Sequence, residues 1–222
     1  MKVAISGASG KTGYRIAEEL IKNRTKFKLL IRKKSILPES LINEETQIVN
    51  INDTSSLDKS LQGCDVLIIA TGARPSVDLT GPARIDACGV RNQIESCKRS
   101  GVKRVILVSS LCSGKLIHPL NLFGLILIWK RLGETYLEKS GLDWTIIRPG
   151  GLNEQEDNLQ EQSIKYTQKN TQEEGSIPRR LVARVCTESL STISSIGRII
   201  EITSSNTYKP STMNNALKTF NI

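Results

Sequence analysis

The feature that most constrains this chain is its opening. An apolar run, residues 1–5, passes directly into SGASGKTG, residues 6–13, with glycines at 7, 10 and 13. The stretch TGYRIAEELIKN follows, with Ile16, Leu20 and Ile21 near one face at helical spacing. A strand that turns on glycines into a helix offers the helix's free N–H groups and its partial positive charge at the turn. That is a site for an anion such as pyrophosphate. Gly7, Gly10 and Gly13 allow tight turning and close approach of backbone to a ligand. Ser9, Lys11 and Thr12 add donors. Glycine spacing alone is a weak signal; the same spacing between a first strand and a first helix is a specific one.

The rest of the chain repeats the alternation. Apolar, β-branched runs occur at 2–6, 27–32, 46–51, 65–72, 102–110, 143–150 and 197–205. Several are apolar throughout, as strands are when helices cover both faces of a sheet. Helix-length patterns lie between them, and those ending at Ser100-Gly101 and Ser140-Gly141 carry a C-terminal glycine signal. The expectation is an α/β chain, 1–222, forming a single Rossmann-like domain with a doubly wound parallel sheet. A chain of 222 residues with 38% hydrophobic content can bury a proper core. Residues 152–178 break the rhythm: they are polar, rich in Gln, Glu and Asn, and are expected to form a substrate-side loop or lid. Within them SIKYTQ, 163–168, is a candidate edge strand.

Charge is unevenly placed. Residues 1–34 hold ten Lys and Arg against two Glu, so +8 of the net +9 lies there. Such a cluster attracts anions, but aromatics are 4% of the chain and none interleave with the basic run, so base stacking finds little support. No nucleic acid partner is expected. The five cysteines form no C-x-x-C pair, and with a single histidine, His118, no metal site is expected; the cysteines read as reduced thiols of a cytoplasmic protein. No targeting segment is visible, and the longest apolar run, 122–129, is far shorter than the roughly 20 residues a membrane span needs.

The end of the second strand bears on the ligand. In dinucleotide folds an acid about 20 residues past the glycines holds the 2′-hydroxyl of NAD, whereas an Arg accommodates the 2′-phosphate of NADP. Here the strand ends at Arg32, nineteen positions after Gly13, followed by Lys33 and Lys34, with no acid nearby. A guanidinium can grip a phosphate through two parallel hydrogen bonds, so NADP is expected over NAD. Asp53 reads either as a contact to the adenine edge or as a helix N-terminal residue ahead of SSLDKSL. Thr71 and Gly72, at the end of the fourth strand, fall where a dinucleotide crosses the sheet.

The segments AISGASGKTG, LIR, LQGCDVLIIATG, VKRVILVSS and WKRLGETYLEKSGLDWTIIRPGGL together resemble the atypical short-chain dehydrogenase/reductases, in particular the short NmrA-like branch of cyanobacteria and plastids. The resemblance runs from residue 1 to about 152 and resumes loosely in the last helix and strand. It implies NADP binding and a pocket over the C-terminal strand ends, with Pro149 packing by the nicotinamide. Short-chain dehydrogenases use a Ser, a Tyr and a Lys four residues after that Tyr. Ser109, Ser110 and Lys130 match, but Ile126 stands where the Tyr belongs, and isoleucine has no proton to give. Cys112, Ser113 and His118 are the nearby candidates for a substitute. Arg148 reads as structural, pairing with a neighbouring acid.

The expectation is therefore an NADPH-dependent reductase of a small conjugated acceptor, flavin- or quinone-like, that takes its proton from water. The competing reading is a non-catalytic NADP-binding sensor or assembly factor. An epimerase or dehydratase would need a working Tyr.

Overall fold

The structure is a computed structural model of the chain, described here for residues 1–73 and 78–220. The opening folds as strand β1 (Lys2–Ser6), a glycine turn and helix α1 (Gly13–Lys22). Then come β2 (Lys26–Ile31), β3 (Thr46–Ile48), α2 (Thr54–Leu61) and β4 (Val66–Ile69). A π-helical segment, Ala83–Gly89, runs into α3 (Val90–Ser100), followed by β5 (Arg104–Val108), α4 (Ile126–Glu138) and β6 (Asp143–Pro149). The C-terminal part adds β7 (Gly151–Asn153), β8 (Ser163–Gln168), β9 (Ser176–Pro178), α5 (Arg179–Ser191), β10 (Arg198–Ser205) and α6 (Met213–Leu217).

Eight strands form one sheet in the order β3-β2-β1-β4-β5-β6-β10-β8, parallel except for β8, which runs antiparallel to β10. The order reverses direction between β1 and β4, the switch point of a doubly wound Rossmann sheet. Side chains alternate across it as the period of two requires. Val3, Ile5, Val66 and Ile68 pack with α1 and α5 on one face, whereas Ala4, Leu67 and Ile69 pack with α2, α3 and α4 on the other. All strands that carry candidate residues end on the same edge of the sheet.

Several expectations need adjustment. The third strand stops at Ile48 rather than 51, and the fifth spans 104–108 rather than 102–110, because the flanking residues leave the ladder to form loops. The edge strand at 163–168 is present as β8. Residues 152–178, expected as a substrate-side loop or lid, thus carry short strands joined by loops, and Glu173 among them meets Cys112 and Lys115 in the loop after β5. β8 lies at the far margin of the sheet, and β7 pairs with β9 in a separate two-stranded ladder. Only the stretch near Glu154 and Glu156 reaches the glycine turn, through ion pairs to Lys11 and Arg15.

Candidate active site

The glycine turn divides its labour. Gly7 has φ +81°, and a Cβ there would lie 2.9 Å from the backbone of Ala70 and Thr71. A Cβ on Gly13 would lie 2.2 Å from the Gly7 carbonyl oxygen, so α1 can seat on the turn only through glycine. Gly10 differs: its Cβ would meet only the Gly7 oxygen, at 3.1 Å, and the Gly10 N–H donates to that same oxygen at 2.9 Å. Among the described residues no side chain caps α1 and no acid stands in its first turn. Thr12 is buried at the helix start. Within that first turn the Tyr14 N–H donates to the Gly10 carbonyl at 3.0 Å, so an anion would be met by the amides of the glycine turn ahead of it.

The loop after β2 folds back onto this turn. Ser9 Oγ donates to Ser35 Oγ at 2.9 Å, and the Ser35 N–H donates to the Arg32 carbonyl at 2.9 Å. Arg32, Lys33 and Lys34 are exposed, and none has an acid partner among the described residues. Most other cations of the basic N-terminal run are engaged. Lys2 pairs with Glu45, Lys22 with Glu19, Lys11 with Glu154 and Arg15 with Glu156. Lys28 is buried and donates to the Ser60 carbonyl at 2.9 Å. The free positive charge at this edge of the sheet is therefore at the end of β2. Asp53 caps α2: its Oδ1 accepts from the N–H groups of Ser55 and Ser56 at 3.1 and 3.2 Å. The Ser55 hydroxyl and these amides hold its carboxyl below the ordinary aspartate range. Of the two sequence readings of Asp53, the cap is the one this geometry supplies.

At the ends of β4 and β5 lies a small cleft bordered by Thr71, Asp86, Val90, Ser109 and Lys130. Lys130 Nζ donates to Asp86 Oδ1 at 2.8 Å, and Asp86 Oδ2 accepts the Ala73 N–H at 3.1 Å. The lysine lies over Gly72, where a Cβ would be 3.5 Å from Nζ. Thr71 Oγ1 is buried with no hydrogen-bond partner among the described residues. α4 approaches the π-helical segment this closely because Gly133 replaces a side chain: a Cβ there would lie 2.2 Å from the Asp86 carbonyl oxygen. The sequence indicated Lys130, Thr71 and Gly72, which the fold brings together. It gave no sign of Asp86, which lies 44 residues from Lys130 and is almost wholly buried.

Behind the cleft is a buried ionic network. Arg148 grips Glu134 through Nε and Nη2 at 2.9 and 2.7 Å and reaches Glu201 at 3.3 Å. Burial alone would raise the Glu134 carboxyl, but the Arg148 guanidinium outweighs it and holds the pKa below the ordinary glutamate range. Glu201 also accepts the N–H groups of Asn170, Thr171 and Gln172 at 2.8, 2.9 and 2.8 Å, which ties the 169–173 loop to β10. Ser109 Oγ donates to Glu134 Oε1 at 2.6 Å. Ser109, expected as a catalytic hydroxyl, thus borders the cleft with its proton directed at Glu134. Ser110 is half-buried, with no side-chain partner among the described residues. Glu134 stands four residues after Lys130, a spacing that could have flagged it as sharing the helix face. Pro149, at the end of β6, is buried, and its carbonyl accepts the Leu111 N–H at 2.9 Å.

Ile126 does not face the cleft as a proton donor would. It is buried with Leu111, Cys112 and Leu127, against Ala73, in a small apolar cluster. Of the nearby candidates, His118 and Cys112 have backbone partners. His118 Nδ1 accepts the Leu120 N–H at 3.2 Å, capping the turn Pro119–Leu122. Cys112 Sγ donates to the Glu173 carbonyl at 3.2 Å, and burial pushes its thiol pKa up, away from the thiolate. Ser113 is buried, its Oγ without a partner among the described residues. An uncapped helix start, a glycine cradle, an orphaned Thr71 hydroxyl and three unpaired cations together fit a dinucleotide laid across the β1/β4 switch point.

Comparison with known proteins agrees with this geometry. A family model described as NAD(P)H-binding matches residues 7–192. An uncharacterised chloroplastic protein of Arabidopsis thaliana is 36% identical over 215 residues, covering 90% of this chain and 76% of that protein. Sanguinarine reductase of Eschscholzia californica is 31% identical over 229 residues, covering 86% of this chain and 84% of that enzyme. Among solved structures, an oxidoreductase of Lactococcus lactis superposes with a TM-score of 0.81 at 24% identity, over 98% of this chain and 95% of that one. A short-chain dehydrogenase/reductase of Veillonella parvula in complex with NADP superposes with a TM-score of 0.75 at 17% identity, over 95% and 99%. The two structures bear on the fold.

Proposed function

The chain belongs to the NAD(P)H-binding family of Rossmann-fold proteins, and from that premise we propose that it is an NADPH-dependent reductase of a small conjugated acceptor, flavin- or quinone-like. The observation that carries the NADP preference is the unpaired Arg32-Lys33-Lys34 run at the end of β2, held beside the glycine turn by the Ser9–Ser35 hydrogen bond. A carboxylate there would repel a 2′-phosphate; three cations attract one. Reductase chemistry is supported by the relative named for reducing sanguinarine.

The bound nicotinamide supplies a hydride. Gly7, Gly10, Gly13, Ser9 and Thr12 would hold the pyrophosphate, joined by Lys11 where the anion displaces Glu154, with Arg32 and Lys33 on the 2′-phosphate. Thr71, Gly72 and Pro149 would line the crossing toward the nicotinamide. Lys130, fixed by Asp86, keeps N–H donors for hydroxyl groups in the cleft. Ser109 acts as a positioning residue through Glu134. Ile126 leaves the site without the side-chain acid of the short-chain enzymes, so the acceptor takes its proton from water. That restricts the chemistry to acceptors whose reduced form is stabilised by conjugation. The same apolar substitution supports a second reading, a non-catalytic NADP-binding sensor or assembly factor.

Calorimetric titration of NADPH and NADH into the protein and into Arg32→Glu tests the cofactor reading. We expect NADPH to bind at least about tenfold tighter, about 1.4 kcal/mol, with the preference lost in Arg32→Glu. Equal affinities would overturn it. Turnover with flavin and quinone acceptors separates the two readings: NADPH oxidation supports the reductase, and tight binding without turnover supports the sensor.

A further inference from the structure

The loop between β5 and α4 is inverted relative to an ordinary surface loop. A buried polar side chain holds its shape, while several of its large apolar side chains are exposed. Asn121 is buried; its amide donates to the carbonyls of Lys115 and Leu116 at 2.7 and 2.8 Å, and its oxygen accepts the Leu127 N–H at 3.0 Å. Around this scaffold Ile117 is 99% exposed and Leu122 81%, with Leu116 and Phe123 beside them. Gly124, at φ +79°, clamps the loop onto exposed Leu79, where a Cβ would come 2.4 Å from the Leu79 oxygen. Single exposed apolar residues are ordinary, but a contiguous group held outward by a buried amide marks a contact surface.

We propose that this edge of the molecule docks on an anionic lipid surface. The loop leaves these apolar side chains open to solvent, whereas small ligands are held by concave sites. Because the sheet is parallel, the loop after β5 shares its edge with the loop after β2. That second loop brings Lys34 and an exposed Ile36 and, where no 2′-phosphate holds them, the unpaired Arg32 and Lys33. Apolar side chains beside cations are what binding at a lipid headgroup layer requires, each basic group adding attraction to anionic lipid. A second copy of the chain suits the patch less well, since it would set a net charge of +9 against another. Docked this way, the edge carrying the Lys130–Asp86 cleft faces the lipid, where an apolar acceptor would dissolve.

The test is cosedimentation of the full chain with vesicles of phosphatidylcholine alone and of phosphatidylcholine with about 30% phosphatidylserine. It is run at low and high salt for the native chain and the double variant Ile117→Glu/Leu122→Glu, with Leu116→Gln as a milder change. We expect binding to the anionic vesicles, weakened by salt, and reduced at least about tenfold by the double variant. NADPH affinity and melting temperature should be unchanged in that variant, since both side chains point away from the core. No binding to either vesicle, or equal binding by the double variant, overturns the proposal. So does a native dimer in sedimentation velocity that the double variant dissociates, which would make the patch a self-contact.

Discussion

The two ends of the candidate site are built by different means. The phosphate end is local: within residues 6–13 a strand end, three glycines and a helix start make an anion site almost unaided. The end where chemistry would occur is assembled from distance. Lys130 meets Asp86 across 44 residues, and Arg148 meets Glu201 across 53. A local site can be written as a spacing, whereas a distributed one exists only after helices have packed. Mutation should therefore separate binding from folding at the first end and entangle them at the second.

The largest effect is expected from Arg148→Ala. It would leave Glu134 and Glu201 buried without their cation, at a cost of about 3–5 kcal/mol in chemical denaturation. The pH dependence has a defined sign. Glu134 is held below its unfolded value of 4.5, so its contribution is present above that value and is lost as pH falls through the lower folded value. The native protein should lose stability in that acidic range, and Arg148→Ala should flatten the dependence. An unchanged melting curve would mean the network adds nothing.

Lys130→Met comes next. It should lower turnover by about a hundredfold while also costing stability, because Asp86 is buried. Asp86→Asn should restore stability to the Lys130→Met background without restoring turnover. If the double variant recovers turnover, Lys130 has no role in the reaction.

Gly10→Ala sharpens the contrast at the other end. A methyl group there would meet one backbone oxygen at 3.1 Å, tight by only a few tenths of an ångström, so the melting temperature should fall slightly while nucleotide affinity falls about tenfold. Gly13→Ala, with its 2.2 Å overlap, should damage folding and binding together. Equal behaviour of the two variants would erase the distinction drawn here. The smallest effect is expected from Asp53→Ala, a slight drop in melting temperature from the lost cap, with NADPH affinity unchanged. A clear loss of affinity in calorimetry would restore the adenine contact as its role.

By itself the sequence determined the strand–helix alternation, the glycine turn, the absence of an acid at the end of β2 and the substitution of Ile126 for a proton donor. Each is a local pattern, set by side-chain periodicity, backbone freedom or charge over a few residues. It also carried the edge strand at 163–168, though not that this strand would pair antiparallel with β10 at the margin of the sheet. Only the tertiary structure decided which cations remain free. Lys11 and Arg15 stand in the same basic run as Arg32, but ion partners for them arrive from Glu154 and Glu156. Nor could spacing show that Ser109 would spend its proton on Glu134, or that Gly133 would let α4 bring Lys130 onto Asp86. Charge pairing and close helix contact depend on distance in space, and the chain sets those distances only when its elements pack.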